Sequence, residues 1–268
     1  MLLKIYQVDA FTDKLFGGNP AAIVPLTEWL PDALMQKIAA ENNISETAFF
    51  VPEQDGYGLR WFTPTVEVEL CGHATLATAH VLYNHLDIKT DEINFYTKSG
   101  KLSVKRNGEM LTLIFPATPY QKIETPAGLA QALGITPVVV FASATKWMAV
   151  YTSQKDIENC RPDFTTLLKL DKLGIIITAK GETSDFVSRF FTPRQGVNED
   201  PVTGSAHTLL IPYWAERLNK STMSARQLSS RLGKLQCKYA GRSVEMSGNA
   251  VTYLTGEIEV SVEADVKR

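Results

Sequence analysis

An acidic residue lies in an otherwise apolar stretch of the sequence. Residues 44–51 are rich in apolar, aromatic and β-branched side chains and predict a strand, with Glu46 on the same face as Ala48. A carboxylate is costly to bury without a partner, and burial favours its protonated form. Glu46 is therefore a candidate acid/base for proton transfer. The competing interpretation is that Glu46 points to solvent or forms a capping or ion-pair contact.

Two glycine-containing steps precede apolar stretches that predict helices. Gly72-His73 comes before one stretch and Gly204-Ser205 before the other. The first N–H groups of a helix have no acceptor within the helix, and glycine allows a ligand to approach the backbone closely. Two such helix starts facing one another would bind an anion, and a substrate carboxylate is the natural occupant.

Two polar residues near these steps each permit a catalytic and a structural interpretation. His73 titrates near neutral pH and could be a general acid/base, or it could cap its helix through a hydrogen bond. Asp200 precedes Pro201 just before the second step. It could act in catalysis, or it could be the helix N-cap with proline as the first helical residue.

Other reactive residues support their chemistry less well. Cys71 could be a thiol base, but the equivalent position of the second step is Thr203, so no second thiol pairs with it. Ser205 could be the nucleophile of a hydrolase. However, it is not in a G-x-S-x-G motif, and on a helix the nearby His207 cannot easily face it. His73 and His80 are seven residues apart and could share a helix face, but no third residue lies at a spacing typical of a metal ligand, and HExxH is absent. We therefore expect no metal site.

A weak internal duplication organises the chain. The recurring pairs, about 130 residues apart, are RWFTP at 60–64 with RFFTP at 189–193, CGHA at 71–74 with TGSA at 203–206, and GKL at 100–102 with GKL at 233–235. In each half a strand ends at Thr-Pro, a loop follows, and the glycine step leads into a helix. The helices are predicted at 74–86, apolar around most of its circumference, and at 206–217, where Pro212 predicts a kink.

The remaining elements complete two similar halves. We expect a hairpin of 101–105 with 111–115, and another of 234–238 with 243–246. A surface helix fits 31–41. These patterns predict an α/β (α+β) protein in which each half wraps a sheet around one central helix. The predicted domains are residues 1–118 and 119–268.

The composition excludes several classes of protein. Of the 268 residues, 44% are apolar and 21% charged, with a net charge of −2, as in an ordinary globular protein. The sequence has no long basic run, so nucleic acid is not an expected partner. No segment suits a signal peptide or a membrane span. Cys71, Cys160 and Cys237 are scattered and odd in number, so we expect a reducing, cytoplasmic location.

Taken together, these motifs resemble the phenazine-biosynthesis PhzF-like family. The similar segments are VDAFT at 8–12, FGGNPAA at 16–22, SETAF at 45–49, FTP at 62–64, ELCGHAT at 69–75 and NEDPVTGSA at 198–206. They span most of the chain in the order expected for the family, and it is the combination that is specific.

The resemblance implies a diaminopimelate-epimerase-like fold of two pseudo-symmetric halves with mixed, mostly antiparallel sheets. It also implies an active site in the cleft between the halves, a homodimer and no cofactor. The family's acid/base falls on Glu46, and the turn at 17–20 would line the site, with Asn19 among the substrate-binding residues. The remaining site residues implied are His73, Asp200 and Ser205 as polar partners and Gly72, Thr203 and Gly204 as backbone donors to a carboxylate.

The function predicted from the sequence is therefore a cofactor-independent isomerase that shifts a proton on a small carboxylate-bearing molecule. A single carboxylate, Glu46, would remove the proton and return it to another atom on the same face. One alternative is a one-thiol epimerase or racemase that uses Cys71 with Glu46. Another is a non-catalytic protein that binds small acids and has lost the chemistry.

Overall fold

The computed structural model describes residues 1–261 of the chain. Within them the helices are α1 (Asp32–Asn42), α2 (Gly72–Asn84), α3 (Leu129–Leu133), α4 (Gln154–Asn159), α5 (Phe164–Leu167) and α6 (Gly204–Leu218), with a 3-10 turn at Pro193–Gln195. The strands are β1 (Leu2–Ala10), β2 (Asn19–Pro25), β3 (Glu46–Glu53), β4 (Gly56–Phe62), β5 (Glu67–Val68), β6 (Glu92–Thr97), β7 (Gly100–Asn107), β8 (Met110–Pro116), β9 (Gln121–Ile123), β10 (Val139–Ala142), β11 (Lys146–Val150), β12 (Gly174–Lys180), β13 (Phe186–Thr192), β14 (Val197–Asp200), β15 (Thr222–Gln227), β16 (Gly233–Tyr239), β17 (Ser243–Gly248) and β18 (Ala250–Glu259).

The first compact unit is a mixed sheet that surrounds α2. β18 pairs with β1, and β1 also pairs with β2. β2 and β3 are parallel, β3 and β4 antiparallel, β4 and β6 parallel, and β6 and β7 antiparallel. The short β5 also pairs with β4. Helix α2 packs against β1, β3, β7 and β18, so strands contact it from several sides.

The second compact unit repeats this connectivity. β9 pairs with β10 and β10 with β11, both antiparallel. β11 and β12 are parallel, β12 and β13 antiparallel, β13 and β15 parallel, and β15 and β16 antiparallel. The short β14 pairs with β13, as β5 pairs with β4. The prediction of two similar halves with mixed sheets is confirmed.

The boundaries of the units depart from a single division of the chain near residue 118. The first unit comprises Met1–Phe16, Pro20–Leu111 and the C-terminal part from Asn249, and the second comprises Gly17–Asn19 and Thr112–Gly248. The C-terminal strand joins the first unit because β18 pairs antiparallel with β1 along its length. A local sequence pattern contains no information about that long-range pairing.

Helix α2 confirms the prediction of an all-round apolar, buried helix, although it begins at Gly72 rather than at 74. Its two buried threonines need partners because an unpaired buried hydroxyl is costly. Thr75 donates to the carbonyl of Cys71 and Thr78 to the carbonyl of Ala74, one turn back in each case. Each of these two hydroxyls is therefore buried with a hydrogen-bond acceptor.

Strand β3 begins at Glu46 and not at 44, so the carboxylate is at the start of the strand. The alternation predicted for this stretch does not separate a buried face from an exposed one. Thr47 and Ala48 point to opposite faces and are both buried, because the strand lies between β2 and β4 and is covered on both sides.

The other predicted elements are found with small shifts. The surface helix is α1, whose buried side chains are Met35, Ile38 and Ala39. The second hairpin is confirmed by the antiparallel pairing of β16 with β17. The strands of the first are present as β7 and β8. Helix α6 continues through Pro212. No helix within residues 1–261 is long and apolar enough to cross a membrane.

The duplication extends to a half-buried ion pair in each unit that the sequence motifs do not reveal. Arg60 donates from Nε and Nη2 to the two carboxylate oxygens of Glu67, at 2.8 and 2.9 Å. Arg189 makes the same two-pronged contact with Glu199, at 2.7 and 2.8 Å. Each arginine belongs to the Arg-x-Phe-Thr-Pro segment, and each pair ties a central strand to the short strand that precedes the helix.

Candidate active site

Three side chains with different chemistry converge in the first unit. Glu46 Oε2 lies 2.9 Å from His73 Nε2, and Cys71 Sγ lies 3.5 Å from His73 Nδ1. His73 and Cys71 are buried, whereas the side chain of Glu46 keeps 17% of its surface exposed. Most of the Glu46 side chain is therefore shielded from water, but part of it can be reached by a ligand. Its partner is the imidazole of His73, which the sequence also predicts to be in the site.

The local fold explains why these three residues meet. Glu46 is the first residue of β3, where the strand has just paired with β2 and has not yet begun to pair with β4. Cys71 is the N-cap of α2 in an extended backbone conformation, and its side chain makes no capping hydrogen bond. His73 follows in the first helical turn. The capping interpretation of His73 is not needed, because its imidazole contacts Glu46 instead.

Burial and the carboxylate decide the charges in this cluster. Burial and the charge of Glu46 raise the pKa of the Cys71 thiol, so it is protonated at neutral pH. Burial works against a charged His73, but its neighbours Cys71 and Glu46 outweigh burial and raise the pKa of His73 well above 6.5. Because a neutral thiol cannot contribute charge, Glu46 is the partner that keeps the imidazole protonated.

The first turn of α2 adds backbone donors to the same place. The amides of Gly72 and His73 are in the first turn and have no acceptor within the helix. The positive end of the helix dipole points in the same direction. This part of the unit can therefore hold an anion beside the Glu46–His73 pair.

The same three side chains could also hold a metal ion. One donor atom each from Glu46, Cys71 and His73 lies within 4.8 Å of the other two. Spacing along the chain does not reveal this group, because Glu46 comes from a strand far upstream of the helix.

The second unit contains a polar cluster centred on Asp200. Asn19 is buried, and its Nδ2 donates to Asp200 Oδ1 at 2.8 Å and to the Val202 carbonyl at 2.9 Å. The hydroxyl of Thr203 donates to Asp200 Oδ2. Asp200 is therefore held by two neutral donors, which fix the direction of its carboxylate.

The structure changes the role assigned to Thr203. Its backbone N–H was expected to bind a substrate carboxylate, but it donates to Gln227 Oε1 at 2.9 Å. Gln227 is fully buried and donates in turn to the carbonyl of Asp200 and to Thr203 Oγ1. Nothing in the sequence indicates that Gln227 belongs to the site. A single glutamine in β15 gains this role only because the folded strand lies beside Asp200 and Thr203.

The start of α6 decides between the two interpretations of Asp200. The helix begins at Gly204 with Thr203 as its N-cap, and Asp200 is the last residue of β14. The N-cap interpretation of Asp200, with Pro201 as the first helical residue, is therefore wrong. The amides of Gly204 and Ser205 lie in the first turn and have no acceptor within the helix.

A turn and a buried histidine support this cluster. Arg231 donates from Nε to the Gly18 carbonyl at 3.0 Å and from Nη2 to the Gly17 carbonyl at 2.9 Å, which fixes the turn before Asn19. His207 is fully buried, and its Nδ1 lies 2.8 Å from the Thr203 carbonyl. A carbonyl only accepts, so Nδ1 carries the hydrogen.

The buried His207 makes the free energy of unfolding depend on pH in the acidic range. Burial lowers the pKa of His207 to about 4, below the ordinary value of 6.5. Between these values the unfolded chain binds a proton that the folded chain does not, so stability falls as the pH falls from 6.5 towards 4. We expect the free energy of unfolding of the wild type, relative to His207→Gln, to decrease by up to about 1.4 kcal/mol per pH unit in this window.

Urea unfolding of both proteins over that pH range measures this effect. Other histidines and the carboxylates are common to both proteins and cancel in the difference. A difference that stays constant from pH 6.5 to 4 would show that His207 is not held neutral.

A comparison with known proteins places the chain in a family. The family model described as phenazine biosynthesis-like protein, PhzC-PhzF, matches residues 8–256. The chain belongs to this family. Two proteins of Pseudomonas aeruginosa named uncharacterized isomerases are each 50% identical to it, over 97% of this chain and all of the relative. The PhzF-like resemblance and the prediction of an isomerase are thereby confirmed.

Solved structures agree with the family assignment. A PhzF-family protein from Enterococcus faecalis is 44% identical, covers 97% of this chain and 100% of its own, and superposes with a TM-score of 0.94. A predicted epimerase from P. aeruginosa is 20% identical over 97% of this chain and all of its own, with a TM-score of 0.74. The second similarity concerns the fold alone, and it confirms that this PhzF-like chain has an epimerase-like fold.

Proposed function

We propose that this PhzF-like isomerase moves a proton on a small carboxylate-bearing molecule, with Glu46 as the single acid/base and without a cofactor. The observation that supports it is the Glu46–His73 pair. A partly exposed carboxylate lies 2.9 Å from a buried imidazole at the first turn of a helix. Such a pair supplies a base, a proton and a fixed orientation from the chain itself.

In the proposed reaction, a carboxylate oxygen of Glu46 removes a proton from a substrate carbon. The electron pair left on that carbon enters the conjugated system of the substrate. Glu46 then returns the proton to a different atom of that system, so no proton or electron is gained or lost. His73 keeps the carboxylate in place, because an imidazolium pairs with it in the resting enzyme.

We assign binding of the substrate carboxylate to helix amides. Gly72 in α2 and Gly204 and Ser205 in α6 are at first turns, where backbone donors and the helix dipole favour an anion. Asp200 would orient a polar group of the substrate, because Asn19 holds its carboxylate in one direction. Thr203 and Gln227 act through Asp200 in this proposal, as positioning residues.

The one-thiol alternative has one observation in its favour and one against it. Cys71 Sγ lies 3.5 Å from His73 Nδ1, as in a thiol–imidazole pair. However, burial and the nearby Glu46 carboxylate raise the pKa of this thiol, which disfavours the thiolate that abstraction requires. Alkylation of Cys71 without loss of activity would count against the alternative.

Solvent isotope uptake tests the function directly. The wild type is incubated in heavy water with a panel of small unsaturated and amino-substituted carboxylic acids, and label is followed by mass spectrometry. The expected result is one deuterium incorporated into an acid that is isomerised, since a single base exchanges its proton with solvent. Tight binding of an acid with neither exchange nor conversion would instead support the non-catalytic binding protein.

We propose in addition that the protein is a cytoplasmic homodimer, as the PhzF-like resemblance implies. The three cysteines are free and buried, which fits a reducing compartment. Light scattering after size exclusion measures the mass. A mass close to that of one chain, 29.7 kDa, would exclude the dimer.

A further inference from the structure

The donor atoms of Glu46, Cys71 and His73 belong to three different chemical types. Carboxylate oxygen, thiolate sulfur and imidazole nitrogen are the three kinds of protein ligand that Zn²⁺ takes. The side chain of His73 is 5% exposed and that of Glu46 is 17% exposed, so a bound ion would be largely shielded from water. Three protein ligands with a fourth position open are typical of non-structural zinc sites.

The distances in this group are close to those of a zinc site. Tetrahedral bonds of about 2.3 Å to sulfur and about 2.0 Å to nitrogen and oxygen place the ligand atoms roughly 3.3–3.5 Å apart. In the structure Glu46 Oε2 and Cys71 Sγ lie 2.9 and 4.0 Å from His73 Nε2. Movements of about half an ångström would bring both of these distances into the range for one ion, and the donor atoms of Glu46 and Cys71 lie within 4.8 Å of one another.

A second observation concerns one oxygen of the carboxylate. Glu46 Oε2 is buried and makes no well-directed hydrogen bond, although His73 Nε2 is near it. A buried carboxylate oxygen without a directed donor is costly, and a cation removes that cost. A bound ion would take the place of the thiol proton of Cys71 and of the Nε2 proton of the His73 imidazolium, so that both protons are released to solvent.

From these contacts we propose that Glu46, Cys71 and His73 form a reversible site for Zn²⁺ or another thiophilic divalent cation. Its consequence rests on the proposed function: a cation bound to Glu46 Oε2 neutralises the negative charge that lets the carboxylate accept the substrate proton. Metal binding and catalysis therefore exclude each other at this site. The resting enzyme works without the ion, and the ion inhibits it.

Cobalt and zinc titrations test binding without reference to activity. Co²⁺ bound by a thiolate absorbs through sulfur-to-metal charge transfer, and added Zn²⁺ should displace it and remove the band. Cys71→Ser should lose the band and bind Zn²⁺ at least about tenfold more weakly. The matched control is Cys160→Ser, because this buried thiol donates to the Leu133 carbonyl and belongs to no ligand group.

The outcomes separate this proposal from the proposed function. Equal Zn²⁺ affinity of wild type and Cys71→Ser, or a titration without a charge-transfer band, would overturn the metal site and leave the isomerase intact. Relative to its own rate without metal, Cys71→Ser should be inhibited by Zn²⁺ less strongly than wild type is at the same Zn²⁺ concentration. If Cys71→Ser does not fold, His73→Asn is titrated with Co²⁺ instead and should likewise bind at least about tenfold more weakly.

Discussion

Glu46→Gln should lower turnover by about 10²–10⁴-fold, since that is the usual contribution of a positioned general acid/base. An amide cannot accept the proton, yet it has nearly the same shape as the carboxylate. The variant should keep its fold, because glutamine fills the same space at the start of β3 and His73, unlike an arginine, can release its proton when its carboxylate partner is removed. The measurement is the rate of deuterium uptake by the acid that wild type converts in heavy water, together with the Kd of that acid.

The matched control is Glu53→Gln at the other end of the same strand. Glu53 is exposed and belongs to neither polar cluster, so this variant should keep wild-type turnover. Full activity of Glu46→Gln would remove Glu46 from the mechanism. Equal losses in both variants would point to a general effect of charge on the strand and not to acid/base chemistry.

Glu199→Ala should reduce the free energy of unfolding by about 3 kcal/mol, because it leaves the guanidinium of Arg189 without its carboxylate in a largely buried position. The side chains of the pair are 12% and 20% exposed. Nε and Nη2 of Arg189 donate to Glu199, and Nη1 donates to the Cys160 carbonyl at 2.8 Å. These contacts hold the guanidinium in place, so it cannot easily rotate into solvent. Urea unfolding at low salt measures the change.

A surface ion pair serves as the control for that prediction. Lys4 and Glu257 are 2.8 Å apart with side chains 61% and 47% exposed, so water and salt screen their attraction. Glu257→Ala should therefore leave the free energy of unfolding almost unchanged. Similar values for the two variants would mean that the Arg189–Glu199 pair is not a buried contact in solution.

Patterns local in the sequence are sufficient for several of the elements and for part of the site. The apolar run after Gly72 predicts a buried helix, and α2 is one. The recurring Arg-x-Phe-Thr-Pro segments predict two similar halves, and the strand pairings of the two units are the same. Glu46 is conspicuous because a carboxylate next to an apolar strand has a desolvation cost that must be offset somewhere.

Boundaries and capping roles are predicted less well because neighbouring elements compete for the same residues. β3 begins two residues later than its apolar pattern, since pairing with β2 starts only at Glu46. Asp200 has the right residue type and proline neighbour for an N-cap, yet it pairs in β14, and Thr203 takes the position before α6. Local propensity permits both arrangements, and tertiary pairing selects one.

The chain by itself therefore establishes its duplicated architecture, the helices α1, α2 and α6 and the acidic residue with the chemistry to move a proton. Only the tertiary structure brings His73 and Cys71 close to Glu46. It also decides that the Thr203 amide donates to Gln227 and that the C-terminal strand β18 pairs with β1. The physical reason is distance along the chain. Periodicity reflects the burial of residues a few positions apart, whereas contacts between distant residues depend on how whole strands pair.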